Sequence, residues 1–233
     1  MRHHKMRFLT LLTAAWFVGG LTACENLLEV ELPGDVTEDA LDDPALAEIL
    51  VNSVVADFEC AYNNYNFGAS VHSDEMWHSS GNLNHRNWGQ RKITNTFGEY
   101  VTGSCGGNGF GMWTNLHKAR FQSEDVYSRI SNSDGIEDTD SKLATVRTYG
   151  GFVYTYLGET FCSVTLDGGA PMQPDAVLAI AQERFEEAIQ LAQAAGEDDM
   201  LNAARVGLAR VHLDLGQYAA ARAAAELVPA GFV

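Results

Sequence analysis

Residues 76–88 read M-W-H-S-S-G-N-L-N-H-R-N-W. Two indoles, Trp77 and Trp88, are interleaved with Asn82, Asn84, Asn87, His85 and Arg86. Flat aromatic faces stack on the apolar faces of sugar rings, while amide and guanidinium groups reach hydroxyls. A few such polar anchors beside aromatic surface is what a ligand site needs. Trp77, Asn84, Arg86 and Trp88 are therefore the candidate ligand-binding residues. The competing reading is that each tryptophan anchors a loop-rich region onto neighbouring helices.

Other reactive groupings are less specific. His72, Asp74, Glu75 and His78 lie within seven residues but match no compact zinc spacing. Asp134, Glu137, Asp138 and Asp140 surround Gly135 without the ligand order of an EF-hand. No metal site is assigned to either group, and no cofactor is expected. The glycine-rich run 106–111 lacks the dinucleotide spacing. There is no nucleophile elbow and no H-E-x-x-H, and carboxylate pairs are too plentiful in so acidic a chain for spacing to select one. Binding rather than catalysis is the expectation.

The N-terminus carries a different chemistry. Arg2, Lys5 and Arg7 precede an apolar run over 8–20, and Leu21-Thr22-Ala23-Cys24 follows directly. Basic, apolar and small-residue segments in this order are a secretory signal peptide over 1–23. The last four residues resemble a bacterial lipobox, which would make Cys24 the acylated first residue of a mature chain spanning 24–233. Beyond residue 23 there are 12 basic against 31 acidic side chains. Such a body repels nucleic acid and gains nothing from anionic lipid headgroups. Export places Cys60, Cys105 and Cys162 in an oxidising compartment, so at most one disulfide among them is expected, with Cys105 as a member.

These groups must be positioned by helices. Leu201, Ala204, Leu208, Val211 and Leu215 recur at steps of three and four, and Gly216 ends the run. Leu143, Val146, Gly150, Val153 and Leu157, followed by Gly158, repeat those spacings 58 residues earlier. The following helices correspond through Phe185 with Ala188 and Tyr218 with Ala221, at an offset of 33. The difference of 25 residues is an insertion after Gly158. The expected fold is mainly α, with tetratricopeptide-like helix pairs and long loop insertions. Further helices are predicted from about Pro44 through Phe58 and over 113–130. Residues 62–111 read as loops and short helical turns, with a short strand pair near 92–101.

A lipobox cysteine, an acidic Leu-x-Val-x-x-Pro segment, Val-Thr and a long helix, then tetratricopeptide-like pairs, resemble a SusD/RagB-family lipoprotein. Residues 147–162 and 202–232 resemble that family's helical core most. The resemblance implies a surface-exposed lipoprotein held in the outer membrane by its lipid. It also implies an oligosaccharide or similar nutrient as ligand, a TonB-dependent outer-membrane barrel as partner, and no chemistry. Family members are about twice as long, and the apolar face after Val228 has no cap, so the chain as written is expected to lack a C-terminal half. The family often has Asn in the middle of the helix that starts near a tryptophan; here that place holds Ser123-Glu124. The alternative is a tetratricopeptide scaffold lipoprotein that binds peptides or proteins during outer-membrane assembly. The aromatic and Asn-rich region 62–111 and the 25-residue insertion favour the nutrient reading, because a bare repeat scaffold needs neither.

Overall fold

The computed structural model describes residues 37–94 and 111–232. The chain divides into two units, Met1–Ala40 and Leu41–Val233. Of the first, only Thr37 to Ala40 are described. The second holds seven helices among its described residues: α1 Ala47–His72, α2 Leu83–Gly89, α3 Met112–Ser131, α4 Thr139–Thr160, α5 Pro174–Ala195, α6 Asp198–Asp214 and α7 Tyr218–Ala225. The mainly α expectation holds.

Local chemistry sets several of the ends. The Asp43 side chain accepts the Ala45 N–H at 2.9 Å, and Pro44 opens the short 3-10 turn that leads into α1. Pro174 is the first residue of α5. At the end of α6, Gly216 adopts φ +71° and Gln217 donates its N–H back to the His212 carbonyl at 2.8 Å. A side chain on that left-handed residue would be strained, which is why the run of apolar spacings stops there.

One expectation is corrected. Helix α1 continues to His72 through a stretch read as loop. Asn63, Asn64, Asn66 and Gly68 are weak helix formers, but Ala61, Asn64, Gly68 and Val71 are buried, and packing overrides propensity. Residues 83–89, within the segment read as irregular, form α2, and the Asn82 side chain caps it by accepting the Asn84 N–H at 2.8 Å. The predicted strand pair near 92–101 lies mostly outside the described residues; Lys92, Ile93 and Thr94 are in no strand.

The insertion after Gly158 is ordered. Val164 and Met172 exchange backbone hydrogen bonds of 3.0 and 2.8 Å, and the Gly169 N–H donates to the Leu166 carbonyl at 2.8 Å. Asp167 and Gly168 between them have φ +49° and +74°, the two left-handed residues of a type I′ turn. The Asp167 carboxylate accepts two hydrogen bonds from Arg120 of α3, at 2.8 and 2.7 Å, so the turn is fastened to the helices.

Helix α4 is central. It packs against α1, α3, α5 and α6, and 13 of its 22 residues are buried. Glycines on α4 and α6 admit a large ring from α5. Phe185 is fully buried, and a Cβ at Gly151 or Gly207 would stand 2.7 or 2.2 Å from its ring. The same device recurs where Leu178 meets Gly158, whose Cβ would lie 2.7 Å from Leu178 Cγ.

Ser123 and Glu124 join α3 to its neighbours. Ser123 is buried; its hydroxyl donates to the Arg120 carbonyl at 2.8 Å, and its side chain lies against Gly150. Glu124 accepts from Arg147 of α4 and Arg184 of α5, each at 2.8 Å. Arg147 also pairs with Glu187 at 2.5 Å and lies 3.2 Å above the Tyr127 ring. Burial pushes the Glu124 carboxyl up, but the hydrogen bonds from the two arginines outweigh it and hold the group below its ordinary value.

Candidate functional site

The four residues singled out between 76 and 88 divide by burial. Trp77 is 74% exposed, and its ring stacks on His78 with centroids 5.5 Å apart. Arg86 is exposed and Asn84 half-buried on α2. Trp88 is 5% exposed and belongs to the same core cluster as Val71 and Met112. A Cβ at Gly68 would lie 3.5 Å from its ring. Trp88 therefore packs α2 onto α1, and of the two indoles only Trp77 presents an open face. The turn before Trp77 is held by an Asp74–Arg91 ion pair and by the Met76 N–H bonding to the Ser70 carbonyl at 3.0 Å.

A second cluster escaped the sequence reading. Helix α1 presents Phe58, Tyr62 and Tyr65 at helical spacing, and α4 answers with Tyr149, Phe152 and Tyr156. Tyr156 stacks with Tyr65 at 4.3 Å and with Tyr62 at 5.7 Å, and Phe58 meets Tyr149 at 4.8 Å. Tyr62 is the most open of the six, at 41% exposure. The signal was present as two i, i+3/i+4, i+7 aromatic runs. The first was hidden because its helix was taken to end near Phe58.

One end of this aromatic row is polar. Glu159 of α4 accepts the Tyr65 hydroxyl at 2.7 Å and two bonds from Arg210 of α6, at 2.7 and 2.8 Å. The Arg210 guanidinium also lies 5.2 Å from the Tyr156 ring centroid. Asp214 stands one turn further along α6 and interacts electrostatically with Glu159. Its carboxyl is pushed up to about 6, first by burial and then by that neighbouring carboxyl. Burial likewise pushes the Tyr156 hydroxyl up to about 12. The aromatic rings thus stand beside carboxylate and guanidinium groups that are tied to one another.

Elsewhere, burial and then the Arg120 charge push His117 down to about 4, and its ring sits 4.2 Å from that of Trp113. Among the described residues no group of three or more His, Cys, Asp or Glu is placed to hold a metal ion, and no helix is long and apolar enough to cross a membrane. Cys24 and Cys105 lie outside the described residues. Cys60 is disulfide-bonded while Cys162 is a free, exposed thiol, so these two are not joined to each other.

The described residues form a mainly helical protein with an exposed indole on the turn before α2 and an aromatic cluster between α1 and α4, met by Arg210 of α6. No family model, curated protein or solved structure matches the chain.

Proposed function

We propose that the chain is a SusD/RagB-like surface lipoprotein that binds an oligomeric nutrient, a glycan, and delivers it to a TonB-dependent outer-membrane transporter. The observation that carries the ligand reading is the open indole of Trp77, 74% exposed beside a helix that bears Asn84 and Arg86. An accessible indole can stack on the apolar face of a pyranose, a contact that stabilises beyond the area it buries. The lipobox-like Leu21-Thr22-Ala23-Cys24 supports the anchoring part of the proposal.

Binding to a glycan array, followed by titration of the best ligand, tests the site. Trp77→Ala should weaken binding at least tenfold, which corresponds to ~1.4 kcal/mol, and leave the melting temperature unchanged. Trp88→Ala should instead melt early, because it removes a core indole. Normal glycan binding by a folded Trp77→Ala variant would move the ligand to the row across α1, α4 and α6, where Tyr62→Ala becomes the informative change. An array on which nothing binds would sink the nutrient reading.

Anchoring is tested separately. Cys24→Ala should release the protein from the membrane fraction, because stable attachment takes more than one acyl chain and all of them depend on that residue. Retention as tight as wild type would show that the cysteine is not acylated.

One observation favours the scaffold alternative. Helix α4 packs on both α5 and α6, and Phe185 joins all three, as stacked tetratricopeptide-like pairs would. A peptide array run beside the glycan array separates the two readings.

A further inference from the structure

Acidic side chains outnumber basic ones 31 to 15 in this chain, so a cation on its surface readily finds a carboxylate. Arg86 and Lys92 have not. Both are exposed, and neither side chain takes part in an ion pair or a hydrogen bond among the described residues. Every other lysine and arginine among those residues has such a partner. The two exceptions stand together, on α2 and just after it, beside the exposed Trp77. The Trp77 ring stacks on His78, and a Cβ at Gly89 of α2 would lie 3.2 Å from the His78 ring. Arg86 precedes Gly89 by three residues and so stands one turn away on that side of the helix. Lys92 is held at the end of α2 by its own N–H, which donates to the Asn87 carbonyl at 2.9 Å. Burial and then the neighbouring His78 push the His85 ring below its ordinary value, so the two imidazoles are close. Of the nearby carboxylates, Asp74 is taken by Arg91, and Glu75 is exposed.

We infer that the ligand of the Trp77 surface is an anionic oligosaccharide, whose carboxylate or sulfate groups are met by Arg86 and Lys92 while one of its rings stacks on Trp77. The inference rests on the reading of that indole as a glycan platform and adds the charge of the glycan. A guanidinium presents paired N–H donors that fit a carboxylate or a sulfate, and an ammonium adds a compact positive charge. A neutral sugar gives neither group a counter-charge. An oligomer with one ring on Trp77 and the next residues along His78 brings its charged groups within reach of both cations. The formal charge of −16 does not forbid this. At physiological salt the field of an exposed charge fades over about 8 Å, so the groups within reach of the ligand decide the sign of the attraction.

Oligogalacturonate is the probe, beside the same oligomer with every carboxyl reduced to a hydroxymethyl group. The whole protein, titrated at physiological salt, should bind the charged form at least tenfold more tightly. Arg86→Gln combined with Lys92→Gln should erase that preference and leave the melting temperature unchanged, since both side chains are in water. Carrageenan oligosaccharides, titrated alongside, separate sulfate from carboxylate. Tighter binding of the sulfated chain, lost in the same double variant, supports the inference with a sulfate ester as the recognised group. Binding confined to neutral saccharides, equal affinity for the charged and reduced forms, or a preference that survives the double change overturns the inference and leaves the glycan reading of Trp77 standing. If no saccharide binds, charged or neutral, both readings fall.

Discussion

Phe185→Ala is expected to cost about 3–5 kcal/mol of folding stability, measured as a shift of the urea midpoint at constant slope. The ring is fully buried and lies against both Gly151 and Gly207. It also meets Phe152 edge-on, with centroids 4.9 Å apart. Collapse cannot fill the space, because both flanking positions are glycines with no side chain to move in. The cost therefore belongs at the upper end of the range. The complementary change, Gly207→Leu in the protein, should destabilise by overpacking against the same ring. A loss below about 1 kcal/mol for Phe185→Ala would mean that the three helices are held together elsewhere.

Glu124→Leu should cost about 3 kcal/mol, the lower end for breaking a buried ion pair, because the carboxylate is 26% exposed rather than sealed. Removing it strands two guanidinium groups. Arg184 loses its closest partner, and Arg147 keeps only Glu187 and the Tyr127 ring. Glu124→Gln should cost less, since the amide oxygen still accepts one hydrogen bond. The pH dependence gives an independent reading. The two arginines hold the Glu124 carboxyl of the folded state below its ordinary value of 4.5. Its contribution is therefore present above that value and is lost as pH falls through the depressed one. Wild-type stability should drop below pH 4.5, and Glu124→Leu should flatten this part of the curve. Parallel acid-denaturation profiles for the two proteins would refute the assignment.

The reading of the chain succeeded where the signal was local and periodic. The spacings from Leu143 to Leu157 and from Leu201 to Leu215 became α4 and α6, and Gly216 ended α6 as expected. The helix predicted over 113–130 is α3 within a residue at each end. It failed at 62–72, where Asn and Gly argue against a helix and only contacts with Met112 and Trp88 from distant segments argue for one. It also passed over Asp167-Gly168, although that dipeptide is a strong short-range hairpin signal. The turn's fastening to Arg120 crosses 47 residues of sequence, which no local signal reports.

By itself, the sequence determined the helical spacings that became α3, α4 and α6 and the stop at Gly216. Those depend on groups within a few residues of one another: apolar spacing, capping side chains, and a glycine that tolerates φ +71°. Only the tertiary structure decided the fate of the aromatic residues. Trp77 and Trp88 have the same chemistry and lie in one short stretch of sequence, yet one is in water and the other in the core, because α2 turns Trp88 toward Gly68. Tyr65, Glu159 and Arg210 are 51 or more residues apart and meet because α1 and α6 both pack on α4. Burial is set by which surfaces face each other after the chain has folded back on itself, and a residue's type constrains that only weakly.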